Sequence, residues 1–283
     1  MSLLKPQRIE DFIITLLAQG SLKNTELLAE IQHLRPHTTK QAVYAALRQM
    51  KAREEIVIYR GTAALNLTWL NQLGSFVDQV KQAYTGSGTV KDTLTSLAPG
   101  DRITYRFQDP IKTDIFWTHV LYLLIDQDQT SEPVYLYNPH EWFLFVRNQN
   151  ETEFIRNITM RGKQFLLLAG NNQPLDRYAK KYFDGNMSQY YPLDKPRFKN
   201  NNYYLNVVGH ILIEVWLDKK VANAIDDFYR DTAVWGVEAE GKLLTILQQK
   251  RRVRITISHN QKKAEAYKKF CRKFFYFPKI IKK

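Results

Sequence analysis

The stretch TTKQAVYAALRQMKAREEIVIYRGTAALNLTWL, residues 38–70, changes its periodicity once, and that change decides the fold. Thr38 or Thr39 can cap a helix with its hydroxyl, after which Val43, Ala46, Leu47 and Met50 recur at helical spacing. Beyond Glu55 the apolar residues fall at every second position, Ile56 and Ile58, then Leu65 and Leu67 past a turn at Arg60-Gly61. A helix followed at once by a two-stranded ribbon is half of a winged helix-turn-helix. The other half lies upstream. Residues 7–19 set Ile9, Phe12, Ile13, Leu16 and Leu17 at helical spacing, and Gly20 ends that helix. Ser21 can cap a second helix over about 23–33 that buries Leu27, Leu28 and Ile31. Pro36 stops it, because proline lacks the amide and restricts the residue before it. Residues 1–70 therefore predict a winged helix-turn-helix, with its third helix shaped for the DNA major groove and the ribbon as a wing.

Candidate contacts follow from this geometry. Thr38, Thr39, Lys40, Gln41 and Tyr44 lie at the start or open side of the third helix. There they can bond phosphates or base edges, Gln41 with adenine in particular. Arg48, Lys51 and Arg53 suit phosphates, and Arg60 at the wing tip suits a narrow minor groove. The competing reading makes this unit a protein-binding module, with Tyr44 packed under the wing. The segment AVYAALRQMKAREEIVIYRG resembles the recognition helix and wing of bacterial and archaeal winged-helix regulators, many of which show a pattern vY..L..L...G.i. Here Glu55 stands where such proteins usually have glycine.

The chain has 283 residues, 44% hydrophobic and 24% charged, which suits a globular protein of about two domains. It holds no apolar run of about 18 residues, so no membrane span is expected. The opening MSLLKPQRIEDF lacks the long apolar segment of a secretory signal. The single Cys271 excludes an intramolecular disulfide, leaves no cysteine-based zinc site and fits a cytoplasmic protein. Net charge is +13, unevenly placed. Residues 1–75 carry nine Lys/Arg against six Asp/Glu, and residues 76–241 carry eighteen against twenty-one. Residues 242–283 carry fourteen against one, Glu265. Such a local excess favours a polyanion or an acidic membrane face, or serves solubility alone.

Residues 69–84 read as a linking helix with Leu70, Leu73, Phe76, Val77 and Val80 along one side, suited to a homodimer interface or to docking on its own domain. TGSGT at 85–89 is the linker candidate, so residues 71–99 connect the winged helix to a larger domain at 100–283. That domain alternates strands with helices: strands at 103–108, 133–138, 164–170, 189–193, 203–217 as a hairpin, and 252–258. Helices fall at 113–125, 140–158, 174–183, 218–232 and from 260. The fold class is thus a winged helix-turn-helix followed by a larger α/β domain. The succession RGKQFLLLAG, YYPL, NVVGHILIEV and FYRDTAVW resembles the regulatory domain of TrmB-type regulators. That resemblance implies a phospholipase-D-like α/β domain without hydrolytic activity. Residues 236–283 and the long linker depart from the pattern.

Catalytic constellations are missing. Phospholipase-D chemistry needs His-x-Lys twice, whereas His259 is followed by lysine only at Lys262 and has no second copy. Glu214, Asp218 and Lys219 do not meet the spacing of a nuclease site. His33 and His37 have helical metal spacing, but Pro36 breaks the helix between them. Gly86-Ser87-Gly88 lacks the strand and the Lys-Ser/Thr of a phosphate loop. No enzyme, cofactor or metal is expected. Trp117, Tyr122, Tyr135, Tyr137, Trp142, Phe143 and Phe145 form either core or the lining of a small-molecule pocket, sugars above all.

Near the end, Tyr267, Phe270 and Phe274 share one helix face, with Lys262, Lys263, Lys269, Arg272 and Lys273 around it. With Arg251, Arg252 and Arg254 of the preceding strand they make a further polyanion contact if the helix docks on the sheet. A membrane-surface helix and a solvated end are the other readings. The function expected is a dimeric transcriptional regulator of double-stranded DNA whose α/β domain senses a ligand or partner. Two alternatives stay open: a nucleic-acid-processing or defence-associated protein positioned by its winged helix, and a scaffold for protein partners.

Overall fold

In the computed structural model residues 6–85 and 97–277 are described, and the chain divides into two compact units, Met1–Gly86 and Ser87–Lys283. The first begins with α1 (Ile9–Leu17). The buried Asp11 carboxylate accepts the amides of Gln7 and Arg8 at 3.2 and 3.1 Å and fixes the start of that helix. There follow β1 (Leu22–Lys23), α2 (Asn24–Leu34), α3 (Lys40–Ala52), β2 (Ile56–Tyr59), β3 (Thr62–Leu65) and α4 (Leu67–Thr85). The strands form an antiparallel sheet in the order β1-β3-β2, which completes a winged helix-turn-helix. Ile13, Leu17, Leu27, Ile31, Val43, Leu47, Met50, Ile56 and Ala63 close its core.

Local rules explain the joints. Thr39 caps α3, its hydroxyl oxygen accepting the Ala42 amide at 3.2 Å. At the other end the Glu55 amide donates to the Met50 carbonyl at 2.9 Å and the Glu54 amide to that of Lys51 at 3.0 Å. These are the two bonds of a Schellman stop, and Glu54 at φ 58° takes its left-handed position. The place where glycine is the ordinary choice is thus residue 54, one before the expected Glu55. Glu55 itself is buried and pairs with Arg53 at 3.4 Å. In the wing, Arg60 at φ 49° and Gly61 at φ 79° form the two-residue loop whose twist suits a hairpin. Beyond Thr85, the linker candidate and Gly86-Ser87-Gly88 lie outside the described residues.

The second unit is built on a seven-stranded sheet in the order β4-β10-β9-β8-β5-β6-β7. Its strands are β4 (Arg102–Phe107), β5 (Val134–Asn138), β6 (Phe165–Ala169), β7 (Ser188–Pro192), β8 (Tyr203–Val208), β9 (Ile211–Trp216) and β10 (Val253–His259). β5, β6 and β7 run parallel, and every other pairing is antiparallel. α5 (Pro110–Gln127), α6 (Phe143–Val146), α7 (Asn148–Met160), α8 (Pro174–Ala179), α9 (Lys219–Asp231) and α10 (Val237–Leu247) pack on one face, around Leu136, Leu167, Ile213 and Ile255. α11 (Gln261–Cys271) packs on the other, its Ala264, Tyr267 and Cys271 against Tyr137, Leu205, Val207 and Leu212.

Residues 140–158 are not one helix. The chain runs irregularly through the buried segment 139–142, then forms α6 and α7. Residues 174–183 likewise divide into α8 and a 3-10 turn at Lys180–Tyr182.

Candidate nucleic-acid interface

On α3, Val43, Ala46, Leu47 and Met50 face the core, which turns Lys40, Gln41, Arg48 and Lys51 outward, all exposed. Arg60 stands exposed at the wing tip, its guanidinium 5.2 Å from the ring centre of Tyr59. Among the ion pairs of the described residues only Arg53–Glu55 lies in this unit, so no carboxylate neutralises these cations. The remaining expected contacts are engaged otherwise. Thr39 gives its hydroxyl to the cap, and Thr38 is half-buried. Tyr44 packs against the core under Lys40, whose ammonium lies 5.9 Å from its ring centre. Along α4, Phe76, Val77 and Val80 leave an exposed apolar stripe.

At the other end of the sequence Arg251, Arg252, Arg254, Lys262, Lys263, Lys269, Arg272 and Lys273 are all exposed. Docking of α11 uses Tyr267, whose hydroxyl donates to the Leu136 carbonyl at 3.0 Å, with Cys271 and Phe275 beside it. Phe270 and Phe274, expected on that face, are half-buried at its margin. Two lysines are not free cations. Lys263 bonds the Glu214 carboxylate at 2.7 Å, and Lys268 is fully buried between Glu132 and Glu265 at 2.5 and 2.9 Å. Sequence reasoning missed two arginines, Arg102 and Arg106 of β4, which are exposed on the sheet face that α11 leaves open. Their signal was present: Arg102, Thr104 and Arg106 alternate with apolar residues as Arg252, Arg254 and Thr256 do.

Inside the α/β unit the aromatic residues are core. Trp117, Tyr135, Tyr137, Trp142, Phe143 and Phe145 are buried, and Tyr122 is half-buried. A cavity of about 40 Å³ remains among Trp117, Asn138, Glu141, Phe143, Glu151 and Asn206. That is room for a few waters and excludes a sugar. Burial, and then the charge of Glu151, push the Glu141 carboxyl up to about 8, despite a bond from the Asn138 amide at 2.5 Å. Burial likewise raises Glu151 to about 7.

Next to this cavity lies a second polar group that sequence spacing did not reveal. His140 is buried, with Nδ1 3.0 Å from Asp176, Nε2 3.2 Å from Asp226 and its ring stacked on Tyr229. Burial alone would lower its pKa, but the bonds to Asp176 and Asp226 prevail and hold it at about 8. The two carboxylates favour the charged form of the imidazole. His259 donates from Nδ1 to the Leu97 carbonyl, 2.9 Å away, and Asp218 caps α9 by accepting the Lys220 amide at 2.9 Å. Among the described residues no group of three or more His, Cys, Asp or Glu is placed to hold a metal, and no helix is long and apolar enough to cross a membrane.

No family model matches the chain, and no curated protein matches it. Among solved structures it is similar to TrmBL2, an archaeal chromatin protein whose structure is described as showing a novel mode of DNA binding. The two are 12% identical over 94% of this chain and 91% of that one, with a TM-score of 0.34, a likeness too loose to carry an argument about function.

Proposed function

We propose that the chain is a DNA-binding transcriptional regulator whose winged helix reads duplex DNA. The observation that carries this is the open face of α3 and the wing, where Lys40, Gln41, Arg48, Lys51 and Arg60 stand in solvent with no carboxylate partner among the described residues. Such a face inserts into a major groove, with phosphate contacts setting register and Gln41 addressing a base edge. The protein acts as a homodimer joined along the Phe76, Val77 and Val80 stripe of α4, because two recognition helices at fixed spacing read a two-fold operator. The α/β unit is its sensing part, for a small ligand or a partner. Its internal cavity limits any ligand held there to a few atoms.

The test is binding of the full chain to random and to upstream genomic duplexes across a salt series, with Lys40→Ala, Gln41→Ala, Arg60→Ala combined as the comparison. Preference for one upstream sequence is expected, and the triple change is expected to abolish it and lower affinity at least about tenfold. Unspecific binding that the triple change does not alter would refute the reading.

A further inference from the structure

One strip of the sheet is left uncovered. Ile103, Tyr105 and Phe107 of β4 and Val253, Ile255 and Ile257 of β10 face the main core, so Arg102, Thr104, Arg106, Arg254, Thr256 and Ser258 face the other way. The helix on that side, α11, reaches only as far as β9, where Lys263 grips Glu214. Beyond it the strip is open.

Register makes the strip more than a scatter of charges. Arg106 lies directly opposite Arg254, and Trp216 of β9 lies on the far side of Arg254. The Arg254 guanidinium is 5.3 Å from the Trp216 ring centre. Thr104 and Thr256 are the next pair, their hydroxyl oxygens 3.2 Å apart. Like charges directly across a strand pair are destabilising, yet no ion pair of the described residues relieves Arg102, Arg106, Arg252 or Arg254. The nearby carboxylates are committed: Glu214 to Lys263, and Asp218 to the cap of α9. A surface that keeps an unfavourable pair of arginines open has a use for an anion there.

The shape limits which anion. Two hollows lie along β10. One, of about 540 Å³, is lined by Arg106, Trp216, Lys219, Arg252 and Arg254 with Asp218 at its edge, and the other, of about 410 Å³, by Arg102, Thr256, Ser258 and the Lys263–Glu214 pair. Together they follow a strand of about 20 Å, on a floor about two strands wide with α11 as a wall. A rigid duplex has no seat on so narrow a floor, whereas a single strand can lie along it. Guanidinium groups take phosphates in pairs of hydrogen bonds, and an Arg–Trp stack offers a flat surface to a base.

We propose that the open face of β4, β10 and Trp216 binds single-stranded nucleic acid, with Arg106 and Arg254 as its central phosphate contacts. This site is independent of the duplex reading of the winged helix. The experiment is fluorescence anisotropy of the full chain with a labelled oligothymidylate and a labelled oligouridylate, across a salt series. Arg106→Gln with Arg254→Gln is expected to weaken binding of at least one of them about tenfold and to make the log–log salt slope shallower by about 1.4. The same double change is expected to leave the melting temperature unchanged or raised, since it removes a repulsive pair. A merely structural role for the arginines would lower it. Trp216→Leu should weaken binding too, and the winged-helix triple change should leave it intact.

Three results would overturn the proposal. They are parental affinity in the double Gln variant and in Arg106→Glu with Arg254→Glu, loss of single-strand binding on the winged-helix change, and displacement of the oligonucleotide by duplex or by phosphatidylserine vesicles at equal charge concentration.

Discussion

In the winged helix the basic side chains stand in solvent over a core made almost wholly of hydrocarbon, with Asp11 and Glu55 as its buried carboxylates. The α/β unit instead draws Asp114, His140, Glu141, Lys163, Asp176 and Lys268 inside. A charge in water contributes little to stability and can be set by what it binds. A charge in the core is tied to its partners, and losing one partner leaves the other stranded in a medium that solvates it poorly. The first unit can therefore change its cations without unfolding, while the second is sensitive to single substitutions and to pH.

The largest test of this contrast is Asp176→Ala. It leaves the His140 imidazolium without its closest carboxylate, and about 3–5 kcal/mol of stability should disappear from the α/β unit. Hydrogen exchange read peptide by peptide should show the loss across β5, β6 and α9, with α1 to α3 unchanged. An equal loss in both units would end the comparison.

Alkaline pH is the next. Folded His140 keeps its proton to about 8 where the unfolded side chain loses it near 6.5, so its contribution is complete below pH 6.5 and lost by about pH 8. Glu141 holds its proton to about 8 where an unfolded glutamate releases it near 4.5, so stability also falls as pH rises between those values. Both act in one direction. Exchange protection in the α/β unit, corrected for the intrinsic rate, should fall by about 2 kcal/mol or more between pH 6 and pH 9. Protection of α1 to α3 in the winged helix, read in the same experiment, is expected to change less.

The smallest effect belongs to the winged helix itself. Glu54→Gly relieves a left-handed residue at the end of α3 and should stabilise that unit by about 1 kcal/mol, measured as a shift in protection of α3 and β2. A destabilisation would mean that the Glu54 side chain contributes more than its backbone costs.

These contrasts also mark what a sequence can disclose. The winged helix was readable because its rules are local: Thr39, Pro36, Arg60-Gly61 and a single change of period. Only β1 escaped, since two residues carry no period and their pairing, Leu22 with Ala63, is a tertiary fact. In the α/β unit the strands were readable as apolar runs, but the apolar residues of the buried segment after β5 hid its irregular path and the break at Arg147 between α6 and α7. Its polar groups were not readable at all. His140 meets Asp176 and Asp226 from 36 and 86 positions away, and Arg106 meets Arg254 only through a strand pairing that no local pattern announces.

That last pairing has a bearing on how the molecule comes into being. β4, the first strand of the α/β unit, has β10 as its sheet partner, and the two are separated by nearly the whole unit. On the ribosome the winged helix can close once the start of α4 has emerged, because its core needs nothing in this unit beyond Trp69. β4 must wait, its edge unpaired, until residues 253–259 follow. Such distant closure is slow, and an open strand edge invites other chains. A nascent chain halted before Val253 would carry a finished winged-helix head on an unfinished, adhesive body, which makes the α/β unit the part of this protein that most needs a chaperone.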